Sequence, residues 1–181
     1  EVDTYLAEKG QTAKANCRKC EKEKTTGPTK GNTDPSFCLC RKELYYQNTN
    51  EEEECIDCPN GADCSARDGL TMNFLSSKVG YWRATNATKL FVDCSSAFRT
   101  GNVKAKAKFV CIGASSNTSF TSPSSSKNGG NNGTIPRVWN ADDQCRKGTS
   151  GPLCGICDTD YVKVGDECQP CPGGANWLAP G

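Results

Sequence analysis

The sequence contains no histidine. That absence removes the Ser-His and Cys-His nucleophile pairs and every histidine-metal arrangement. Large aliphatic side chains are scarce as well. Leu, Ile, Val and Phe number 26 in 181 residues, below the level at which a chain of this size builds a self-sufficient apolar core. No apolar run approaches the length of a membrane span, and no basic start followed by an apolar run stands at the N-terminus. Neither sign of charge dominates: 22 basic residues face 21 acidic ones, a net charge of +1. No global field therefore selects nucleic acid as a partner. P-loop and dinucleotide glycine patterns are missing. The acid pairs Asp142 with Asp143 and Asp158 with Asp160 sit in turns, not across a cleft as glycoside hydrolysis requires. The chain reads as non-enzymatic, with no cofactor and no resident metal.

What is abundant is cysteine. Fourteen occur, an even number at nearly the density of a secreted disulfide scaffold. In the chain-entropy model, closing a loop of about ten residues contributes roughly 2.5 to 3 kcal/mol. Seven such loops would supply the order of a whole domain's stability. The expectation is that Cys17, Cys20, Cys38, Cys40, Cys55, Cys58, Cys64, Cys94, Cys111, Cys145, Cys154, Cys157, Cys168 and Cys171 are all bridged.

The most informative stretch is CRKGTSGPLCGICDTDYVKVGDECQPC, from Cys145 to Cys171. Cys154, Cys157, Cys168 and Cys171 stand as C-x2-C-x10-C-x2-C, which also suits a tetrahedral zinc site. Against zinc, Gly148 and Gly151 fall three and six positions after Cys145, where glycine's access to positive φ suits a tight bridged turn. That loop resembles the last bridged loop of an EGF module, and the following C-x10-C, with Tyr161 inside, resembles the extra loop of a laminin-type EGF module. The resemblance implies bridges from Cys145 to Cys154 and from Cys157 to Cys168. The compact first four cysteines of an EGF module are absent upstream. Pairing of the other ten stays open, since sequence cannot order it.

Residues 1–16 form an N-terminal arm with only Val2, Tyr5 and Leu6 as larger apolar groups. Such an arm cannot fold alone: it reads either as a frayed tail or as an arm ordered by docking on a second copy, with these three as its anchors. Residues 17–64 form a cysteine-rich module with polar, Gly- and Pro-bearing loops. Its C-x-C, 14-residue gap and C-x2-C-P resemble the ladder repeats of TNF-receptor-type and ephrin-receptor-type modules. Its seven cysteines are an odd number, so one must pair outside it. The acids at Glu51 to Glu54 lack any calcium-loop spacing and read as a solvated turn.

Residues 65–113 read as β-rich: Val79 to Arg83, Leu90 to Val92, and Val103 to Ile112. The last run alternates Val103, Ala105, Ala107 and Phe109 against Lys104, Lys106 and Lys108. That pattern predicts a half-buried strand with a wet lysine face, guarding a sheet edge or binding acidic glycans. Residues 114–137 are a Ser/Thr/Asn/Gly-rich linker or loop, glycosylated by composition. N-x-S/T sequons stand at Asn86, Asn117 and Asn132. Residues 138–171 are the EGF- or laminin-EGF-like module, and 172–181 a tail. From Cys55 to Cys171 the CP-x-G-A-x-C turn, GYWR strand and GPLCG-x-C loop resemble cysteine-rich extracellular regions of protist and algal surface proteins, often found before membrane helices. A start at Glu1 reads as a processed or trimmed one, and an end ten residues past the last cysteine as a shed ectodomain, a fragment or a soluble member without a membrane anchor.

The fold expected is small, disulfide-rich, mostly β and irregular: an elongated array of cysteine-rich, EGF-like modules with a small antiparallel sheet. The function expected is a non-enzymatic extracellular structural glycoprotein that assembles with itself, other matrix proteins or glycans into a surface filament, appendage or matrix. The alternative is the ligand-binding ectodomain of a membrane receptor or channel.

Overall fold

With so little aliphatic surface to bury, the backbone is organised by turns. The structure, a computed structural model, describes residues 3–6, 16–28, 31–49, 52–113 and 139–173. It is small, disulfide-rich and built of short strands and irregular chain, as expected. The strands pair into seven two-stranded sheets, antiparallel wherever their register is defined, with one α-helix among the described residues. The chain divides into two compact units: residues 1–76 with 86–89, and residues 77–85 with 90–181.

One turn closed by a cysteine recurs four times, and a version closed by Asp158 stands at Gly148. Asp3, Glu43, Gly80 and Asp160 all have left-handed backbone, with φ of 63°, 74°, 91° and 69°. From each a hairpin departs. The first joins β1 (Thr4–Leu6) to β2 (Cys17–Lys19). β3 (Lys24–Thr25) and β4 (Leu39–Cys40) pair next, and the second hairpin joins β5 (Leu44–Thr49) to β6 (Glu52–Asp57). After β7 (Ala62–Asp63) and β8 (Ser76–Ser77), the third joins β9 (Tyr81–Trp82) to β10 (Val92–Asp93). β11 (Thr149–Ser150) pairs with β12 (Ile156–Cys157), and the fourth hairpin joins β13 (Tyr161–Val164) to β14 (Glu167–Pro170).

The four hairpins share one register. The residue after the left-handed position faces the residue before a cysteine: Thr4 with Lys19, Leu44 with Asp57, Tyr81 with Asp93, Tyr161 with Pro170. That cysteine's N–H then donates to the carbonyl of the left-handed residue: Cys20 to Asp3 at 2.9 Å, Cys58 to Glu43 at 3.1 Å, Cys94 to Gly80 at 2.9 Å, Cys171 to Asp160 at 2.8 Å. Glycine and aspartate at the turn agree with the local preference for positive φ; Glu43 has no such preference and is held there by the hairpin's hydrogen bonds. Three short 3-10 turns, at Pro35–Phe37, Met72–Phe74 and Pro152–Cys154, precede β4, β8 and β12. Among the described residues the chain is thus a repeated hairpin unit without an extended sheet.

Burial follows the same logic. Half of the fourteen buried apolar residues are cysteines. In the first unit Tyr45, Ala62, Leu70 and Leu75 complete the interior, and the Tyr46 hydroxyl donates to the Cys38 carbonyl (2.9 Å) while accepting from the Cys40 N–H (3.2 Å). In the second, Cys94, Ala107, Val110, Cys111, Cys145 and Cys154 cluster, with Trp82, Phe98 and Leu153 packed against them. Trp82 is thus half-buried against the interior.

The expected strand from Val103 to Ile112 is instead the helix α1, Val103–Val110. Alanine and lysine are strong helix formers, the Asn102 side chain caps the Ala105 N–H at 3.1 Å, and helical spacing turns Ala107 and Val110 inward together. Phe109, expected on a buried face, is left 47% exposed, and the three lysines do not form a row. Lys106 reaches Asp166 at 2.6 Å.

Gly148 tests the packing of the fourth turn. At φ +91° an added Cβ would stand 2.3 Å from the Tyr161 ring, so Gly148→Ala is expected to destabilise by roughly 2 to 4 kcal/mol. Gly165, at φ +63° with nothing within 4 Å, should lose only about 1 kcal/mol as alanine. Denaturant unfolding without reductant measures both, and equal losses would show that Tyr161 is not held against Gly148.

Candidate functional site

The covalent framework is the best-defined chemical feature. Six bridges form: Cys20 with Cys38, Cys40 with Cys55, Cys58 with Cys64, Cys94 with Cys111, Cys145 with Cys154, and Cys157 with Cys168. The last two are the pairings implied by the EGF resemblance. They also consume Cys154, Cys157 and Cys168, so the zinc reading loses three of its four thiolates. Of the fourteen cysteines expected to pair, these bridges account for twelve. Cys17 and Cys171 are half-buried and unbridged. Six of the seven cysteines between Cys17 and Cys64 pair within that module, and Cys17 is the odd one.

Bridges of this number belong to a protein matured in an oxidising compartment. Among the described residues no helix is long and apolar enough to cross a membrane, and no group of three metal-ligating side chains comes together.

The arm departs from its reading as a segment without a partner in its own chain. Tyr5 and Leu6, both half-buried, lie in β1 against Arg18 and Cys17. The anchor is Asp3, which sequence reasoning passed over. Its carboxylate accepts from the Thr25 hydroxyl, the Thr26 N–H (3.2 Å) and the Arg41 guanidinium (2.9 Å), while its own N–H donates to the Thr26 hydroxyl (3.0 Å). Val2 lies outside the described residues, as do Asn117, Asn132 and the linker from 114 to 137. Asn86 is half-buried between β9 and β10.

A second feature missed in sequence is the buried polar knot of the second unit. Arg83 is wholly buried, its guanidinium 4.8 Å from the centroid of the Phe91 ring and 5.6 Å from that of Trp139. Gln144, 1% exposed, accepts from the Arg83 N–H (3.0 Å) and the Ser77 hydroxyl and donates to the carbonyls of Arg83 (2.8 Å) and Ala141 (3.1 Å). The only hint in the sequence is the arginine ending GYWR.

The same unit carries a cleft of about 330 Å³ between α1 and β14, lined by Phe109, Arg146, Lys147, Thr149, Tyr161 and Gln169 among others. The Arg146 guanidinium lies 3.5 Å from the centre of the Phe109 ring. The cleft offers cationic and aromatic surface, with the acidic Glu167 also in its lining.

No family model matches the chain, and neither a curated protein nor a solved structure is similar to it.

Two measurements check these contacts. The Thr25 hydrogen bond, opposed by desolvation and aided by Arg41 and the Thr26 N–H, holds the Asp3 carboxyl below its usual 3.8. A depressed folded pKa contributes stability that is fully present above the unfolded value and is lost as pH falls through the folded one. Carboxyl NMR should therefore place the Asp3 midpoint below 3.8, with the β1–β2 signals shifting in the same acid window; a midpoint at or above that value would mean these bonds do not form. Separately, Gln144→Leu leaves the Arg83 N–H and carbonyl and the Ser77 hydroxyl without this partner. It is expected to cost about 3 kcal/mol or more, read by unfolding of the oxidised protein; a loss below about 1 kcal/mol would show the knot to be hydrated instead.

Proposed function

We propose that the chain belongs to a non-enzymatic extracellular glycoprotein, a structural subunit that assembles with itself into a cell-surface filament, appendage or matrix. The observation that supports this most is the repeated hairpin unit stapled by local bridges, none spanning more than 18 residues. Such a unit is stabilised within itself and by its sequence neighbours, so copies add in series without a larger core. A disulfide-closed repeat resists unfolding and proteolysis in a compartment without chaperones or reductant. Other matrix proteins or glycans are the further partners of this reading, and Asn86, Asn117 and Asn132 are its proposed carriers of N-linked sugar, with O-linked sugar in the Ser/Thr-rich linker.

Self-association runs through the half-buried Tyr5 and Leu6 on the first hairpin, with Val2 beside them in sequence. A head-to-tail contact that does not close propagates as a filament.

The second reading, a ligand-binding ectodomain, is favoured by the cleft beside Arg146 and Phe109, whose cationic and aromatic lining suits an acidic ligand.

Sizing the native glycoprotein by light scattering and electron microscopy separates the two. The structural reading expects material far larger than the 19.4 kDa of this sequence, reduced in size when Tyr5 and Leu6 are changed to serine. Monomers at every concentration, with asparagines bare in glycopeptide maps, would overturn it in favour of the second reading.

A further inference from the structure

Cys17 and Cys171 stand at positions that the repeated hairpin elsewhere fills with bridged cysteines. The register is the evidence. At the second turn, Cys40 lies three residues before the left-handed Glu43, and it bridges Cys55, three residues before the closing Cys58. At the fourth, Cys157 lies three residues before Asp160, and it bridges Cys168, three before Cys171. The two bridges have nearly the same Cα separation, 5.5 and 5.4 Å. At the third turn the matching positions hold Ser77, three before Gly80, and Phe91, three before Cys94. The pair is thus cysteine at both positions or at neither. At the first turn, Cys17 lies three residues before the closing Cys20. Its counterpart, three residues before Asp3, is the position immediately ahead of Glu1.

The closing cysteines obey a second rule. Cys20, Cys58 and Cys94 each bridge forward, to Cys38, Cys64 and Cys111, at separations of 18, 6 and 17 residues. Cys171 makes the same hydrogen bond to its turn as those three. A partner 6 to 18 residues on would fall from position 177 to eight residues past Gly181, and no cysteine follows Cys171 within the sequence.

We propose that Cys17 and Cys171 are the inner halves of two more bridges of this repeat, closed by flanking cysteines of the same polypeptide, one directly ahead of Glu1 and one within eight residues after Gly181. The hairpin register shared by Thr4 with Lys19 and by Leu44 with Asp57 sets the first hairpin for the same crosslink geometry. Closure needs an oxidant. Two thiols give up two protons and two electrons to a small-molecule disulfide such as oxidised glutathione, which leaves as two thiols while one S–S bond forms in the protein. The proposal does not depend on the assembly reading, because bridges to flanking sequence are equally compatible with a monomer.

The test is peptide mapping of the native protein, alkylated and digested without reduction. Cys17 is expected in a linked pair with a peptide whose cysteine immediately precedes the Glu1 position, and Cys171 with a cysteine from the segment after Gly181. A Cys17–Cys171 link, a link between the same cysteine of two copies, or alkylated free thiols would overturn it. An independent arm uses the 181-residue chain refolded in glutathione buffer with one cysteine added directly ahead of Glu1. Intact mass after alkylation should fall from two labelled thiols in the parent to one, Cys171, in the extended chain. Three labelled thiols would show that the first hairpin does not present Cys17 to that position.

Discussion

A disulfide forms without strain only when its two Cα atoms are brought to within about 4.4 to 6.8 Å, and in this protein a single left-handed residue does much of the bringing. A positive φ at Asp3, Glu43, Gly80 or Asp160 reverses the chain so that its carbonyl meets the N–H of a cysteine returning from the far strand. The ladder between them is only two to six pairs long, too short for independent stability. The bridges supply what the ladder lacks, and the ladder supplies the geometry that the bridges need. Neither operates without the turn, which is why a chain with so few aliphatic residues can fold.

The sequence announced this chemistry unevenly. Cysteine density, the glycines after Cys145 and the shortage of aliphatic residues led directly to the disulfide-rich, mostly β and irregular fold. The repeat was harder to see because its fixed features are few. The chain reads CRKEL at Cys40, SKVGY at Ser77 and CDTDY at Cys157, and the shared element is an acid or glycine three residues after the first position, followed by a bulky residue. Spacing between repeats varies with loop length, and loop length costs little free energy, so no constant period is imposed.

The helix from Val103 to Val110 was misread for a definite reason. Strict alternation of small and charged residues is a strand signal only if the small face is buried in a sheet. Here alanine and lysine favour helix locally, and the Cys94–Cys111 bridge fixes the helix's far end to the closing cysteine of the third turn. Ala107 and Val110 meet the cluster at helical spacing, and Phe109, free of the core, is covered by Arg146. Tertiary attachment decided the outcome where the pattern was ambiguous.

The third turn shows what takes the place of a bridge. Ser77 and Phe91 occupy the two positions that are cysteines in the second and fourth turns, and both are buried. Ser77 donates to Gln144, Gln144 holds the backbone of Arg83 on both its N–H and its carbonyl, and the Arg83 guanidinium packs on Phe91. A loop of about 15 residues closed by a disulfide contributes roughly 3 kcal/mol in the entropy model. Buried hydrogen bonds add about 0.5 to 1.5 kcal/mol each, and a desolvated cation over an aromatic ring about 2, so the polar knot is of comparable strength. The two solutions differ in range. A bridge joins residues 11 or 15 apart, whereas Ser77 reaches Gln144 across 67. The third turn therefore ties its own hairpin to the distant segment that leads into Cys145, while the stapled fourth hairpin is tied to α1 by the Lys106–Asp166 ion pair, and both links bind the repeats of the second unit together.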